Sequence, residues 1–234
     1  MPRLMLDSTV AADIPEGYQG RSMELVAGYI DGPHTWTETD WKRFPPTIRQ
    51  VRICIYNGIR PGFPDPFTAQ VIDIQPRNND AKGSVPWIRG KWGRGQVPTA
   101  YCFSDSGPTG FRISDIRREC DTAGVKRPLF WIAHWGRRWE DFDPAGDPSI
   151  IALQYDGSSE TLMHFDASAV ASYWPDVDPD PSVKLAVAPE HVLPAIYLQR
   201  MSLGYNAWTG DPIDPKGELP DYAKPPVGWE DPYK

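Results

Sequence analysis

The stretch Gln70-Val71-Ile72-Asp73-Ile74-Gln75 is the most informative part of the chain. Its apolar residues predict a short buried strand. Asp73 and Gln75 are two residues apart, so their side chains point to the same side of that strand. Similar apolar stretches occur before and after it, and polar residues follow each of them. The sequence therefore predicts a sheet whose strand ends bring polar side chains together at one edge.

Apolar stretches typical of strands recur along most of the chain. The predicted strands are 4–6, 26–30, 50–56, 69–74, 98–103, 129–135 and 150–155, with 164–168 as a short last strand or turn. Most are almost continuously apolar, which is typical of parallel strands buried on both faces. We expect an α/β fold, namely a closed (β/α) barrel of the TIM type with seven or eight units, so complete or one unit short. An open sheet is the alternative.

Short helices are predicted in several connections. A helix over 84–95 would carry Pro86 at an early position, where proline is tolerated. A second helix would begin at Ser114 as its N-cap and end at Gly124. A third, very short one would have Thr39-Asp40-Trp41 as its cap and first turn and end at Pro45-Pro46.

The chain changes character after residue 175. Residues 1–175 are predicted to form the barrel, and residues 176–234 an acidic, proline-rich extended arm with one short helix. Such a composition cannot bury a core of its own. Two interpretations remain open: the isolated aromatic residues of the arm anchor it to the barrel or to another subunit, or the arm is a disordered tail.

Charge and cysteine content exclude several classes of partner. The net charge is −7 and there is no basic run, so a nucleic-acid partner is not expected. The chain shows no signal peptide and no apolar run of membrane-spanning length, so we expect no membrane partner. Cys54, Cys102 and Cys120 lack metal-binding spacing and are interpreted as reduced core thiols, and neither a metal nor a cofactor is predicted.

Polar and aromatic residues at the predicted strand ends are candidates for binding a sugar. Aromatic rings stack on sugar rings, and polar groups bind sugar hydroxyls. The alternative for the aromatic residues is packing inside the barrel, and for the histidine a hydrogen-bonded rim position rather than a role as ligand or base. The candidates are Tyr29, Tyr56, Trp131, His134, Gln154 and Tyr155.

Six pieces of sequence, in order, resemble the glycoside hydrolase family 25-like barrels of actinobacteria and their phages, which include lysozyme-type muramidases. The resemblance covers about residues 4 to 175. The pieces are Leu6-Asp7-Ser8, Val71-Ile72-Asp73-Ile74-Gln75, Val97-Pro98-Thr99-Ala100-Tyr101-Cys102, Phe130-Trp131-Ile132-Ala133-His134-Trp135, Leu153-Gln154-Tyr155 and Phe165-Asp166-Ala167-Ser168.

The resemblance implies a set of catalytic positions: Asp7, Asp73, Gln75 and Asp166. In that family the glutamate of the D-x-E strand is the general acid, and Gln75 stands at its position here. An amide has no proton to give to a leaving glycosidic oxygen, although it can still bind a sugar hydroxyl. Each aspartate has a second interpretation, as a cap of the following turn.

Two functions follow as hypotheses. The first is a phage-type, catalytically degenerate glycoside-hydrolase-like protein, a minor tail or other virion component that binds cell-wall glycan and contacts other virion subunits through its arm. The second is an active peptidoglycan hydrolase, an endolysin or tail-associated lysozyme, with Asp73 or Asp7 as the acid and Asp166 assisting. In either case the expected location is the virion or the host cytoplasm. A barrel enzyme of another chemistry has no supporting motif.

Overall fold

The computed structural model describes residues 1–107, 110–157 and 164–179, all within one compact unit, Met1–Pro179. The predicted arm lies outside the described residues except for 176–179. Its course, its short helix and its contacts therefore remain predictions.

Among the described residues, eight strands close into a barrel, and a two-residue strand pairs with one of them in a hairpin. The order around the barrel is β1, β3, β4, β5, β6, β7, β8, β9, and β9 returns to β1. In chain order the strands are Arg3–Asp7 (β1), Gly17–Tyr18 (β2), Arg21–Tyr29 (β3), Arg49–Cys54 (β4), Val71–Asp73 (β5), Thr99–Phe103 (β6), Leu129–Ala133 (β7), Ile150–Asp156 (β8) and Asp166–Val170 (β9).

The barrel is mixed. Seven of its strands are parallel, and β9 is antiparallel to both of its neighbours, β8 and β1. The C-terminal ends of the seven strands and the first residue of β9 therefore meet at one end, here called the upper rim. Asp166 was expected at the C-terminal end of a strand. It begins β9 instead, and the antiparallel direction brings it to the upper rim opposite its pairing partner Asp7.

Helices are few in the described part of the chain. They are Glu38–Trp41 (α1), Ala81–Gly93 (α2) and Ile113–Thr122 (α3), together with four short 3-10 turns. A barrel is thus confirmed, but the described residues do not place a helix after each strand, so the structure meets the expected (β/α) TIM-type barrel only in part. The connection after β4, residues 57–66, is rich in proline and glycine, which disfavour helices.

All three predicted helix starts were wrong. The cap of α1 is Thr37, whose Oγ1 accepts the Asp40 N–H at 3.2 Å, and not Thr39. The cap of α2 is Asp80, whose Oδ1 accepts a hydrogen bond from the Gly83 N–H at 2.5 Å, so Pro86 lies inside the helix. The cap of α3 is Arg112, because Asp115 Oδ2 accepts the Arg112 N–H at 3.0 Å. Sequence pattern favoured Ser114 because its side chain is a common cap.

The barrel has an outer and an inner core because side chains alternate along each strand. Outward residues such as Leu6, Ile72 and Phe130 belong to the core cluster that covers the barrel. Inside, Trp174 fills the lower end, fully buried, with its Nε1 donating to Thr99 Oγ1 at 3.1 Å. The prediction of reduced core thiols is confirmed: Cys54, Cys102 and Cys120 are buried and unpaired.

Candidate functional site

A pocket of about 280 Å³ opens at the upper rim. Carboxyl, amide and aromatic side chains from loops and strand ends form most of its described lining. These side chains belong to Asp7, Asp166, Gln75, Tyr29, Tyr101, Phe103, Trp135 and Phe165.

Asp7 and Asp166 lie side by side in this pocket, joined by a third residue. The Nε2 of buried Gln154 donates to Asp7 Oδ1 at 3.3 Å and Oδ2 at 3.4 Å, and to Asp166 Oδ2 at 3.2 Å. Burial, and after it the nearby Asp166 carboxylate, raise the pKa of Asp7 well above its usual range. Asp7 therefore holds a proton more readily than an ordinary aspartate.

The other end of the Gln154 amide fixes two aromatic residues of the pocket. Gln154 Oε1 accepts the Tyr101 hydroxyl at 2.7 Å and the Trp135 Nε1 at 2.8 Å. The Trp135 ring also meets Phe103 edge-on, with centroids 5.9 Å apart. A Cβ on Gly157 would come within 2.9 Å of the indole, so glycine is needed for this approach. The pocket wall is thus held by contacts on several sides.

Asp73 lies beneath the pocket rather than in its lining. It is fully buried, and its Oδ2 accepts the Tyr29 hydroxyl at 2.9 Å and Asn78 Nδ2 at 2.7 Å. Burial raises the pKa of Asp73 to about 7, although both hydrogen bonds act in the opposite direction. Tyr29 lines the pocket, whereas Asp73, which it bonds, is fully buried and does not contribute to the lining.

Gln75 reaches the pocket from the turn that follows β5. The strand ends at Asp73, and Pro76 has no N–H with which to continue a ladder. The Gln75 carbonyl accepts the Asn78 N–H at 3.0 Å, which closes the turn. Because β5 is the fourth strand from β9 in a ring of eight, Gln75 lies across the pocket from Asp166.

Five of the six predicted sugar-binding residues are not among the described residues that line the pocket. One of them, Gln154, holds the lining from beneath through the hydrogen bonds given above. Trp131 faces the barrel interior below the pocket and donates to Ser168 Oγ at 3.0 Å. Tyr155 follows Gln154 directly, so it points outward, where it meets Trp139 edge-on. Side chains alternate between the two faces of a strand, so only one of the neighbours Gln154 and Tyr155 can face the barrel interior.

The remaining two contact other parts of the rim. Tyr56 packs against Phe63 and lies under the Arg60 guanidinium, 3.8 Å from its ring centre. His134 follows the end of β7, and its Nδ1 shares a hydrogen bond of 2.8 Å with Ser104 Oγ. Burial and the nearby Arg137 lower the pKa of His134. It is a hydrogen-bonded rim histidine, one of the two interpretations left open by the sequence.

Several residues of the pocket were not predicted. Tyr101 could have been predicted from the sequence. It lies near the end of an apolar strand, on the same face as Thr99 two residues earlier. Trp135 follows Trp131 after four residues, but it lies beyond the end of β7, where alternation no longer fixes direction. Phe103 is two residues after Tyr101, at the end of the same strand, so it was predictable in the same way. Phe165 had no pattern that separated it from core residues.

The described residues hold no group of three or more His, Cys, Asp or Glu side chains suited to a metal ion. In the same part of the chain, no helix is long and apolar enough to cross a membrane.

Comparisons with known proteins give one short similarity. The chain matches no established protein family and no solved structure. A 75-residue alignment with the neural cell adhesion molecule L1 of Takifugu rubripes shows 31% identity and covers 27% of this chain and 6% of that protein. A similarity over so small a part of L1 does not show a family, and nothing about L1 is carried over.

Proposed function

We propose that this chain is a glycoside-hydrolase-like barrel whose upper-rim pocket binds a sugar of cell-wall glycan without efficient hydrolysis. One observation carries the proposal: carboxyl and amide groups share the pocket with aromatic rings. Polar groups of this kind bind sugar hydroxyls, while the rings of Trp135 and Tyr29 offer apolar faces to a sugar ring.

The arrangement of the carboxyl groups argues against efficient cleavage. Glycoside hydrolysis uses two carboxyl groups that flank the scissile bond. Asp7 and Asp166 stand on the same side, since one nitrogen of Gln154 bonds both. The group across the pocket is Gln75, which cannot donate a proton as an acid. The resemblance to family 25-like barrels also argues against efficient cleavage, because Gln75 stands at the position of the general acid in that family.

A second depression, about 520 Å³ in volume, adjoins the pocket and shares Pro76 with it. Lys82 and Arg118 contribute to its lining. A polymer that placed one sugar in the pocket could continue into this depression. This arrangement favours a chain of sugars over a single one, and peptidoglycan is the polymer that the resemblance suggests.

Retention on insoluble polymer tests the binding proposal. Purified actinobacterial peptidoglycan should pellet the protein, and cellulose should not. Protein that stays in the supernatant with both polymers would contradict the proposal. The proposed virion role is separate, and mass spectrometry of purified phage particles that lack the polypeptide would overturn it.

Asp7 favours a second candidate function, an active peptidoglycan hydrolase. Its raised pKa keeps a proton available in the pocket, as a general acid requires, and Asp166 is adjacent to it. Asp73 fits that role less well because it is fully buried and does not contribute to the described pocket lining. Loss of turbidity of a peptidoglycan suspension that disappears in Asp7→Asn would establish this function in place of the first.

A further inference from the structure

One buried carboxylate oxygen contacts two parts of the pocket wall. Asp73 Oδ2 accepts the Tyr29 hydroxyl from β3 at 2.9 Å, and the Asn78 side-chain amide from the turn after β5 at 2.7 Å. Tyr29 lines the pocket, and the turn carries Gln75 and Pro76, which also line it. Asp73 itself is fully buried and does not belong to the described lining. It is therefore placed to act on a ligand through these neighbours.

The turn after β5 has a strained backbone. Arg77 has a φ of 80°, a left-handed conformation that is rare for residues other than glycine. Around it, the Gln75 carbonyl accepts the N–H groups of Asn78 and Asn79, at 3.0 and 3.3 Å. The Asn78 side chain ties this turn to Asp73 beneath the pocket. Without that bond, we expect the turn to relax and Gln75 to move.

The bond from Tyr29 to Asp73 has a defined direction. Burial raises the pKa of Tyr29 well above its usual range, and the nearby Asp73 carboxylate acts in the same direction. The tyrosine therefore keeps its proton and donates it to Asp73 in the hydrogen bond, which holds the ring in place. A ring that is already held loses less side-chain freedom when a sugar packs against it.

We propose that Asp73 is a positioning residue for the bound sugar, because one of its oxygens holds both the Tyr29 ring and the turn of Gln75 in the geometry that binds. This inference rests on the proposed function and names a buried group on which that function depends. The role requires a hydrogen-bond acceptor at the position of Oδ2. It requires neither a negative charge nor a proton to transfer, and this distinguishes it from a catalytic role.

Two asparagines of the same turn give the first test, with calorimetric titration of soluble peptidoglycan fragments as the measurement. Neither contributes to the described pocket lining. Asn78→Ala removes the bond to Asp73 and should bind the fragments at least about fivefold more weakly than wild type. Asn79→Ala is the matched control, since the Asn79 side chain accepts the Asp80 N–H instead, at 2.9 Å. This control should bind as wild type does.

Two substitutions of Asp73 separate hydrogen bonding from charge. In Asp73→Asn the amide oxygen takes the place of Oδ2 and accepts both bonds, so affinity should stay within about twofold of wild type. Asp73→Ala has no acceptor and should bind at least about tenfold more weakly. Glu24→Gln removes the same charge at an exposed residue of β3 and should bind as wild type does. Circular dichroism shows whether each variant is folded, and if Asp73→Ala is not, the asparagine pair decides.

Wild-type affinity in Asn78→Ala would overturn the inference and leave the proposed function standing. An equal loss in Asn79→Ala would also overturn it, because the bond to Asp73 would then not be the cause. The same holds if Asp73→Asn loses as much affinity as Asp73→Ala, since the charge of Asp73 would then be responsible. No binding by the wild-type protein would overturn the proposed function as well.

Discussion

Asp7 and Asp166 are paired residues on two antiparallel strands, and their carboxyl groups accept hydrogen bonds from the same amide nitrogen. The pair would repel if both groups were ionised, and Gln154 donates to both. This buried amide therefore helps to hold the two carboxyl groups together. It also links them to the aromatic wall through Tyr101 and Trp135.

Replacing this amide with an acid should destabilise the fold in a pH-dependent way. Gln154→Glu removes the donor and adds a third carboxyl group, so we expect a loss of about 3–5 kcal/mol in unfolding free energy at pH 8. The loss should be smaller at pH 5, where the added group is protonated. Urea denaturation at both pH values measures it. Gln154→Leu removes the donor without adding charge, and equal losses in the two variants at both pH values would show that charge is not the cause.

Asp73 should make the protein less stable as the pH rises from about 4 to about 7. Its pKa is raised from 3.8 to about 7 in the folded state. Between these values the native state keeps a proton that the unfolded state releases, so unfolding free energy falls with rising pH and the fall ends near pH 7. The contribution is on the order of 4 kcal/mol.

The variant Asp73→Asn tests this contribution. It should flatten the pH dependence of unfolding free energy by that amount, while Asp7 keeps a remaining slope of the same sign. Glu24→Gln should retain the wild-type curve. If Asp73→Asn and the wild-type protein gave parallel curves, Asp73 would be titrating normally in the fold.

Trp174 should stabilise the barrel without affecting the pocket. It fills the lower end, while the pocket opens at the upper rim. Trp174→Ala should cost about 3–5 kcal/mol of unfolding free energy. Trp174→Phe, which keeps most of the packing and loses the bond to Thr99, should cost less. Retention on peptidoglycan should be unchanged in Trp174→Phe, and a parallel loss of binding would mean that the two ends of the barrel are coupled.

Much of the barrel was predictable because apolar strands separated by turn residues are visible along the chain. Asp7, Tyr29, Gln75, Asp166 and Gln154 all come to the upper rim, and Gln154 acts there from beneath the lining. The three helices predicted individually are present, but a (β/α) barrel also implies a helix after every strand, and among the described residues α-helices follow only β3, β5 and β6. The connection 57–66 was expected to be a loop because it is rich in proline and glycine, and it contains no α-helix.

Side-chain direction limited the prediction of the site. Tyr155 was grouped with Gln154, although neighbours on a strand face opposite sides. His134 and Trp135 were both assigned to a strand that ends at Ala133. Beyond the end of a strand, the direction of a side chain depends on its contacts with distant residues, such as that of Trp135 with Gln154. A single sequence does not show these contacts.

Gln75 offers a direct test of lost acid catalysis. Gln75→Glu places a titratable group across the pocket from Asp166. If the pocket lacks only its acid, the variant should hydrolyse peptidoglycan about 10²–10⁴-fold faster than wild type. Release of reducing ends measures it, with Gln75→Met as a control without an acid. If Gln75→Glu hydrolyses no faster than wild type, the pocket has changed at more positions than the acid. Fast hydrolysis by the wild-type protein would contradict the claim that acid catalysis has been lost.

The central claim is that the upper-rim pocket binds glycan, and calorimetric titration with soluble peptidoglycan fragments tests it most directly. Trp135→Ala removes a ring that contributes to the lining, whereas Glu24→Gln changes a residue on the outside of β3. We predict measurable binding by wild type and Glu24→Gln, and binding at least about tenfold weaker by Trp135→Ala. Equal affinity in Trp135→Ala, or no binding by the wild-type protein, would contradict the account.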